Sequence, residues 1–307
     1  MPLGFAKSIL SRTASASTGA YAFFSNRTPT SSDVATYQAE MTVGNRFASS
    51  NVMTWVYWIR VIDSDLGGTN QYRLMTYRDS LDLGGGQAWI QNAADGSVSY
   101  VGYNLYNGST NVVVYSMKSG TTYGDSQTAF RDNFLDGSWH CVMARCDLSN
   151  GSIRNLYIDG EEHASNNTYG SSPTTATGTN PKLNDVRYVS LRVQPANDTT
   201  GGYGNQAQDL PAADTGPIWF YDSNVDITNS TTRAYYYDAS NTDGYVDGGT
   251  DGTAGGATQP ELYLYHTEST LVNGGSLSPT IATATNGSGT ISIIDNTDGP
   301  GSGGTRS

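Results

Sequence analysis

From Asp136 to His163 the chain reads DGSWHCVMARCDLSNGSIRNLYIDGEEH. Its first half alternates as an extended strand does. Trp139, Cys141 and Met143 fall on one side, and His140, Val142 and Ala144 on the other. SNGS (Ser149 to Ser152) supplies a polar turn, Leu156 and Ile158 continue one apolar row on the return strand, and Asp159-Gly160 turns the chain again. The stretch reads as a β-hairpin built for burial, with Trp139, His140, Tyr157, Asp159 and Gly160 as its structural residues. It does not read as a metal centre, because His140, His163 and His266 have no i, i+4 or C-x-x-C companion. Cys141 and Cys146 lie on opposite sides of the strand, about 16 Å apart at ~3.3 Å per residue, which is too far for a disulfide. Two buried free thiols are expected, as suits a reducing compartment.

Similar runs surround the hairpin. NVMTWVYWIRVI (Asn51 to Ile62) is apolar on both faces, so it reads as a central strand in a layered sheet. QYRLMTYR, QAWIQNA, SVSYVGYN, TNVVVYSM, VRYVSLRV and GPIWFYD follow at short intervals, each bounded by Gly, Asn or Asp. PELYLYH and GTISIID have the same character, while STTRAYYY (Ser230 to Tyr237) suits either a helical turn or a strand. The expected fold is all-β, a two-sheet antiparallel jelly-roll sandwich, spanning residues 33–240. Residues 1–32, rich in Ser, Thr and Ala, read as an anchoring arm. Residues 241–257, NTDGYVDGGTDGTAGGA, read as a Gly/Asp-rich linker or exposed loop, and residues 258–307 as a C-terminal extension with short strands.

Composition narrows the function. The 307 residues include 36 Gly and 21 Tyr, only 14% are charged, and the formal net charge is −12. Phosphate recognition needs clustered Lys or Arg, and with 16 such residues along the whole chain a nucleic-acid partner is not expected. Acids crowd the stretch from Gly201 to Ser307, where only Arg233 and Arg306 oppose them. No run approaches the ~20 apolar residues of a membrane span. Lys7 and Arg12 interrupt the opening MPLGFAKSILSRTASAS, so it does not read as a secretory signal.

The pattern DG-x-WH, a strand, a polar loop and then LYIDGE resembles the laminin-G-like or concanavalin A-like jelly roll, and the likeness extends from MTWVYWIR to GPIWFYDSNVDIT. Cys141 stands where many of those relatives repeat histidine. GNRFASSNVMTWVYWIR, AFRDNFLDGSWH, LYIDGEEH and the opening MPLGFAKSILSRTAS are similar to stretches of virion structural proteins of tailed bacteriophages. That resemblance implies a non-enzymatic particle protein on the virion exterior, assembled in the host cytoplasm. It would be a capsid decoration or a tail or fibre attachment that self-associates and meets other virion proteins through its arm. A free-standing lectin module is the alternative, and a glycan-degrading enzyme a weaker one.

The chemistry of candidate sites follows from residue types. Retaining glucanases of this fold carry Glu-x-Asp-x-x-Glu on one strand face, and no such run occurs; Glu161-Glu162 sit in a turn, and Glu40, Glu261 and Glu268 are isolated. No catalytic residue is therefore assigned. No cofactor is expected beyond the calcium that lectin-like jelly rolls often bind. Asp63 and Asp65 form the first candidate loop for it, with Asp243 to Asp251 and Asp295 to Asp298 as others, none with the spacing of an EF-hand. Glycan recognition would use tyrosines in or near loops, Tyr103, Tyr106, Tyr169 and Tyr203 first, with Tyr100, Tyr123 and Tyr245 as further candidates.

Overall fold

The computed structural model describes residues 34–42, 44, 46–48, 51–62, 70–79, 85–92, 99–106, 111–115, 132–147, 153–162, 184, 186–191, 214–266, 271–286 and 299–301. The arm at 1–32, Asp63, Asp65, Tyr123, Tyr169, Tyr203 and the GTISIID run lie outside the described residues.

In chain order the strands are β1 (Val34–Glu40), β2 (Val52–Ile62), β3 (Asn70–Asp79), β4 (Gly85–Asn92), β5 (Ser99–Tyr106), β6 (Asn111–Tyr115) and β7 (Asp136–Asp147). They continue with β8 (Ile153–Ile158), β9 (Glu161–Glu162), β10 (Val186–Leu191), β11 (Asp214–Tyr221), β12 (Leu262–His266), β13 (Leu271–Asn273) and β14 (Thr280–Asn286). They form two seven-stranded antiparallel sheets, ordered β14-β1-β10-β3-β4-β5-β6 and β13-β12-β11-β2-β7-β8-β9. The chain crosses from one sheet to the other several times, so strands adjacent in space are distant in sequence. This is a two-sheet jelly-roll sandwich, and the short helix Ser230–Arg233 is a minor feature of it.

The hairpin quoted above is the centre of the second sheet. β7 pairs with β2 along Val52 to Ile62 on one side and with β8 on the other. β2 is apolar on both faces because both are covered. Met53, Trp55, Tyr57 and Ile59 are buried on the face toward the companion sheet. Val56 and Trp58, on the other face, pack with Trp139, Cys141, Met143, Trp219 and Tyr263 under Ile227, Tyr236, Tyr245 and Ala257. Those last four residues belong to the excursion between β11 and β12, which lies over the sheet as a roof.

The structure corrects the expectation for residues 241–257. The Gly/Asp-rich segment 241–257 is neither a linker nor an exposed loop, since Tyr245 and Ala257 are part of the core. Its glycines serve close approach. A Cβ on Gly248 would stand 2.4 Å from the Tyr263 hydroxyl and 2.6 Å from the Trp219 ring, and one on Gly244 2.1 Å from the Tyr237 ring. Its acids fold the roof locally: Asp247 accepts from Gly249 N–H at 2.8 Å, and Asp251 from Thr253 N–H at 3.0 Å. The residues after 257 join the two sheets. β12 and β13 extend the second sheet beside β11, and β14 pairs with β1 in the first.

Candidate functional site

Asp159 and Gly160 join β8 to β9 with φ of 51° and 76°, the two left-handed positions of a tight hairpin turn. The turn places the Asp159 carboxylate beside β7. Oδ1 accepts the Cys141 N–H at 2.7 Å, and Oδ2 lies 2.7 Å from His140 Nδ1. The other ring nitrogen, Nε2, is 3.2 Å from Asp136 Oδ1, which also accepts the Ser138 N–H at 2.7 Å. The Phe134 ring packs on the imidazole at 4.9 Å. Burial alone would lower the His140 pKa, but the charge of Asp159 and the hydrogen bonds to Asp136 and Asp159 outweigh it and raise the value to about 9. The ring is an imidazolium at neutral pH with both N–H groups engaged. It has no lone pair for a metal or a substrate proton, so it is a latch between the start of β7 and the turn after β8. Trp139, Tyr157 and Gly160 complete the same unit; Gly160 sits where a Cβ would stand 3.1 Å from the Tyr237 ring.

The two thiols are free and buried, and burial, then the charge of Asp159, pushes the Cys141 pKa well up. Cys141 is therefore a poor nucleophile.

Other polar groups of this sheet fasten the roof. Arg145 bonds Asp226 at 2.6 Å and the Asn155 amide oxygen at 2.8 Å. Arg233 lies over the Tyr157 ring at 4.5 Å and donates to the Ile227 and Thr228 carbonyls. Beneath the roof, the Tyr236 hydroxyl donates to Tyr221 at 2.8 Å, and Tyr221 donates to the Thr258 carbonyl at 3.0 Å. Arg60 and Asp214 form an ion pair at 2.6 Å, with side chains 1% and 2% exposed. Tyr245, a candidate for sugar stacking, is buried edge-on against Trp58 at 5.2 Å.

Glu261 is not isolated. Its Oε2 accepts the Asp222 N–H at 3.0 Å, and burial, followed by a hydrogen bond to the Asp222 carboxyl, raises its pKa to about 7. Two carboxyls in direct hydrogen bond are closer than the ~5 to 9 Å that a glycosidic bond between them requires. Among the described residues no group of three His, Cys, Asp or Glu is arranged to hold a metal.

The first sheet has a different character, carried by its register. Val189, buried in the core, stands in one row with Tyr77, Gly86, Leu105 and Val112. Leu191, Met75, Ala88, Tyr103 and Val114 form the next row of the same face. The opposite face holds the row Ser190, Thr76, Gln87, Asn104, Val113, the row Tyr188, Arg78, Gly85, Tyr106, Asn111, and the row Arg73, Trp89, Gly102, Tyr115, with Gln91 beside Tyr100. The first set is mostly apolar, and the second mixes aromatic, amide, hydroxyl and arginine residues with Val113. Tyr103 and Tyr106 are both in β5 and not in a loop; three positions apart, they belong to opposite faces, with Tyr103 in the Val189 set. Tyr100, a further candidate from the sequence, and Trp89 and Tyr115, which the sequence placed only in strands, fall in the same set as Tyr106.

No protein-family model matches this chain, and no curated protein matches it. Among solved structures it is similar to the heptameric SAP-like pentraxin from Limulus polyphemus, at 10% identity over 88% of this chain and 96% of that one, with a TM-score of 0.47. It is also similar to the LG1-3 region of the laminin α2 chain, at 13% identity over 69% of this chain and 33% of that one (TM-score 0.39). A third is the Ruminococcus gnavus IT-sialidase CBM40 bound to α2,3 sialyllactose, at 13% identity over 69% and 96% (TM-score 0.38).

Proposed function

We propose that this protein is a non-enzymatic adhesive module of a bacteriophage particle, displayed on the virion exterior, that binds host-surface glycans through the first sheet. One observation carries the glycan reading. The second sheet is closed on both faces, whereas the first sheet gathers Trp89, Tyr100, Tyr106 and Tyr115 with Gln87, Gln91 and Asn104 on the face opposite Val189. Aromatic rings stack on the C–H faces of sugars, and amides both donate to and accept from hydroxyls, so this residue set in one plane suits an oligosaccharide. Catalysis finds less support: Asp222 and Glu261 are hydrogen-bonded to each other, and Asp136 and Asp159 are both engaged by His140.

The virion setting rests on the sequence resemblance, and within it the arm at 1–32 is the contact to other particle proteins and self-association supplies avidity. A glycan array with the whole chain tests the binding. Retention of defined glycans, lost in a Trp89→Ala, Tyr115→Ala double variant that keeps its thermal transition, is the expected result. No retention, or retention unchanged in the double variant, overturns the binding face. Mass spectrometry of purified particles, with and without residues 1–32, tests the setting.

A further inference from the structure

We infer that the pocket between Gly216 and the Thr242–Gly244 turn is a docking site for a proline–glycine turn, filled here by the chain's own residues 299–301 and open to the same turn of a second copy. Gly299 and Pro300 are buried, and Gly301 is half-buried. The floor is Gly216, on β11 between Thr215 and Ile218, where the pairing with β2 slips. A Cβ there would stand 2.8 Å from Trp58 Cβ, 2.9 Å from Pro300 Cγ and 3.6 Å from Trp139 Cζ3. The missing side chain admits the proline ring, and two tryptophans flank it. A rigid ring with no N–H to satisfy suits a slot with aromatic sides.

The rim holds the residue after the proline. Gly244 N–H donates to the Asn241 carbonyl at 3.0 Å, Tyr245 N–H to the Thr242 carbonyl at 3.1 Å, and the Asn241 amide to the Tyr245 carbonyl at 2.9 Å. The turn so closed presents Asp243 at φ 54°, a position that strains a residue with a Cβ. Its carboxylate accepts the Gly301 N–H at 3.1 Å. Among the described residues Asp159 and Asp243 are the non-glycines with positive φ, and in both the carboxylate takes a backbone N–H from another segment. Gly301 itself has φ 85°, and a Cβ on it would stand 3.0 Å from Tyr245 Cδ1. Shape therefore selects the proline, and backbone contact the glycine.

The turn is detachable for a physical reason. Trp58 Nε1 and Tyr245 Oη, on two of the rings at this pocket, are buried and find no hydrogen-bond partner in the chain. Such groups cost stability, and lifting the turn lets water reach them. The anchoring contacts lie within three consecutive residues, so a second copy supplies the whole set. Docking within one chain competes at an effective concentration in the millimolar range, so exchange belongs to settings in which copies are packed side by side.

The experiment follows the Trp58 indole N–H by NMR in the full, isotope-labelled chain. Pro300→Ser should displace that signal and leave the signal of Trp55, on the opposite face of β2, in place. Asp243→Asn keeps the proline and a residue tolerant of the same φ, and should give a smaller displacement of the same kind. The peptide NTDGPGSGG, the sequence of residues 296–304, should return the Pro300→Ser signal toward its parental position at millimolar concentration. The peptide with serine for proline should not. An unlabelled Asp243→Asn chain, whose own turn is loosened but intact, should act as the peptide does. A Trp58 signal unmoved in both variants, or a displaced signal that the peptide does not restore, overturns the docking site. Equal restoration by the serine peptide overturns the proline–glycine specificity, and restoration by the peptide but not by the second chain overturns the exchange between copies.

Discussion

Asp159 reaches His140 from the turn after β8, Oδ2 to Nδ1 at 2.7 Å, while its other oxygen takes the N–H of the next residue, Cys141. One carboxylate therefore neutralises a buried cation and satisfies a buried backbone donor. Asp159→Ala leaves both without a partner, and the expected loss is about 3 to 5 kcal/mol, the usual cost of breaking a buried charge pair from one side. Urea denaturation at pH 6 measures it; a loss below about 1 kcal/mol, the ordinary worth of an exposed pair, would show that Asp159 is dispensable.

The same latch sets a pH dependence. His140 holds its proton to about pH 9 in the folded chain, against 6.5 for an ordinary imidazole. Between these values the folded state binds more protons than the unfolded one, so the stabilisation is complete below about pH 6.5 and is lost as the pH rises through 9. The loss amounts to roughly 3 kcal/mol. The urea midpoint should fall across this range and His140→Gln should flatten the fall; an equal slope in the variant would assign the effect to other groups.

Glu261 acts in a lower window. With its pKa raised from 4.5 to about 7, it too is protonated preferentially in the folded state, so its contribution is present below 4.5 and is lost as pH rises to about 7. Glu261→Gln keeps an oxygen for the Asp222 N–H and removes the charge. The variant should match or exceed the parent in thermal stability at pH 8 and lose that advantage at pH 5. An advantage of the same size at both values would mean that Glu261 does not titrate in this window.

Two glycines separate close approach from backbone strain. Gly244 and Gly44 both have positive φ, but a Cβ on Gly244 would enter the Tyr237 ring, and one on Gly44 would meet nothing within 4 Å. Gly244→Ala should cost about 3 kcal/mol or more through overpacking of the roof, and Gly44→Ala about 1 kcal/mol through strain alone. Comparable thermal shifts in the two variants would mean that the roof yields easily.

The strands were legible because their alternation is strong and their breaks are glycine-rich. MTWVYWIR, SWHCVMARCD and GPIWFYD appear as β2, β7 and β11. The hairpin was equally legible, since strand parity fixes which residues share a face. β13 was not, because a three-residue strand gives no alternation to read. The roof was misread because glycine and aspartate are common to flexible linkers and to tightly laid backbone, and only the rings beneath Gly244 and Gly248 distinguish the two. The candidate binding face needed register: Arg73, Trp89, Gly102 and Tyr115 are spread over 43 positions of sequence, and a one-residue bulge decides the side on which Arg73 falls.

The pairing of β1 with β14, across some 240 positions of chain, bears on how the protein is made. On a ribosome β1 emerges first and has neither neighbour; β10 follows about 150 residues later and β14 some 90 after that. At the ~5 to 20 residues per second of translation, β1 waits for tens of seconds with its edges bare. Loss of the residues after Pro260 would leave β1 and β11 as open edges prone to aggregate.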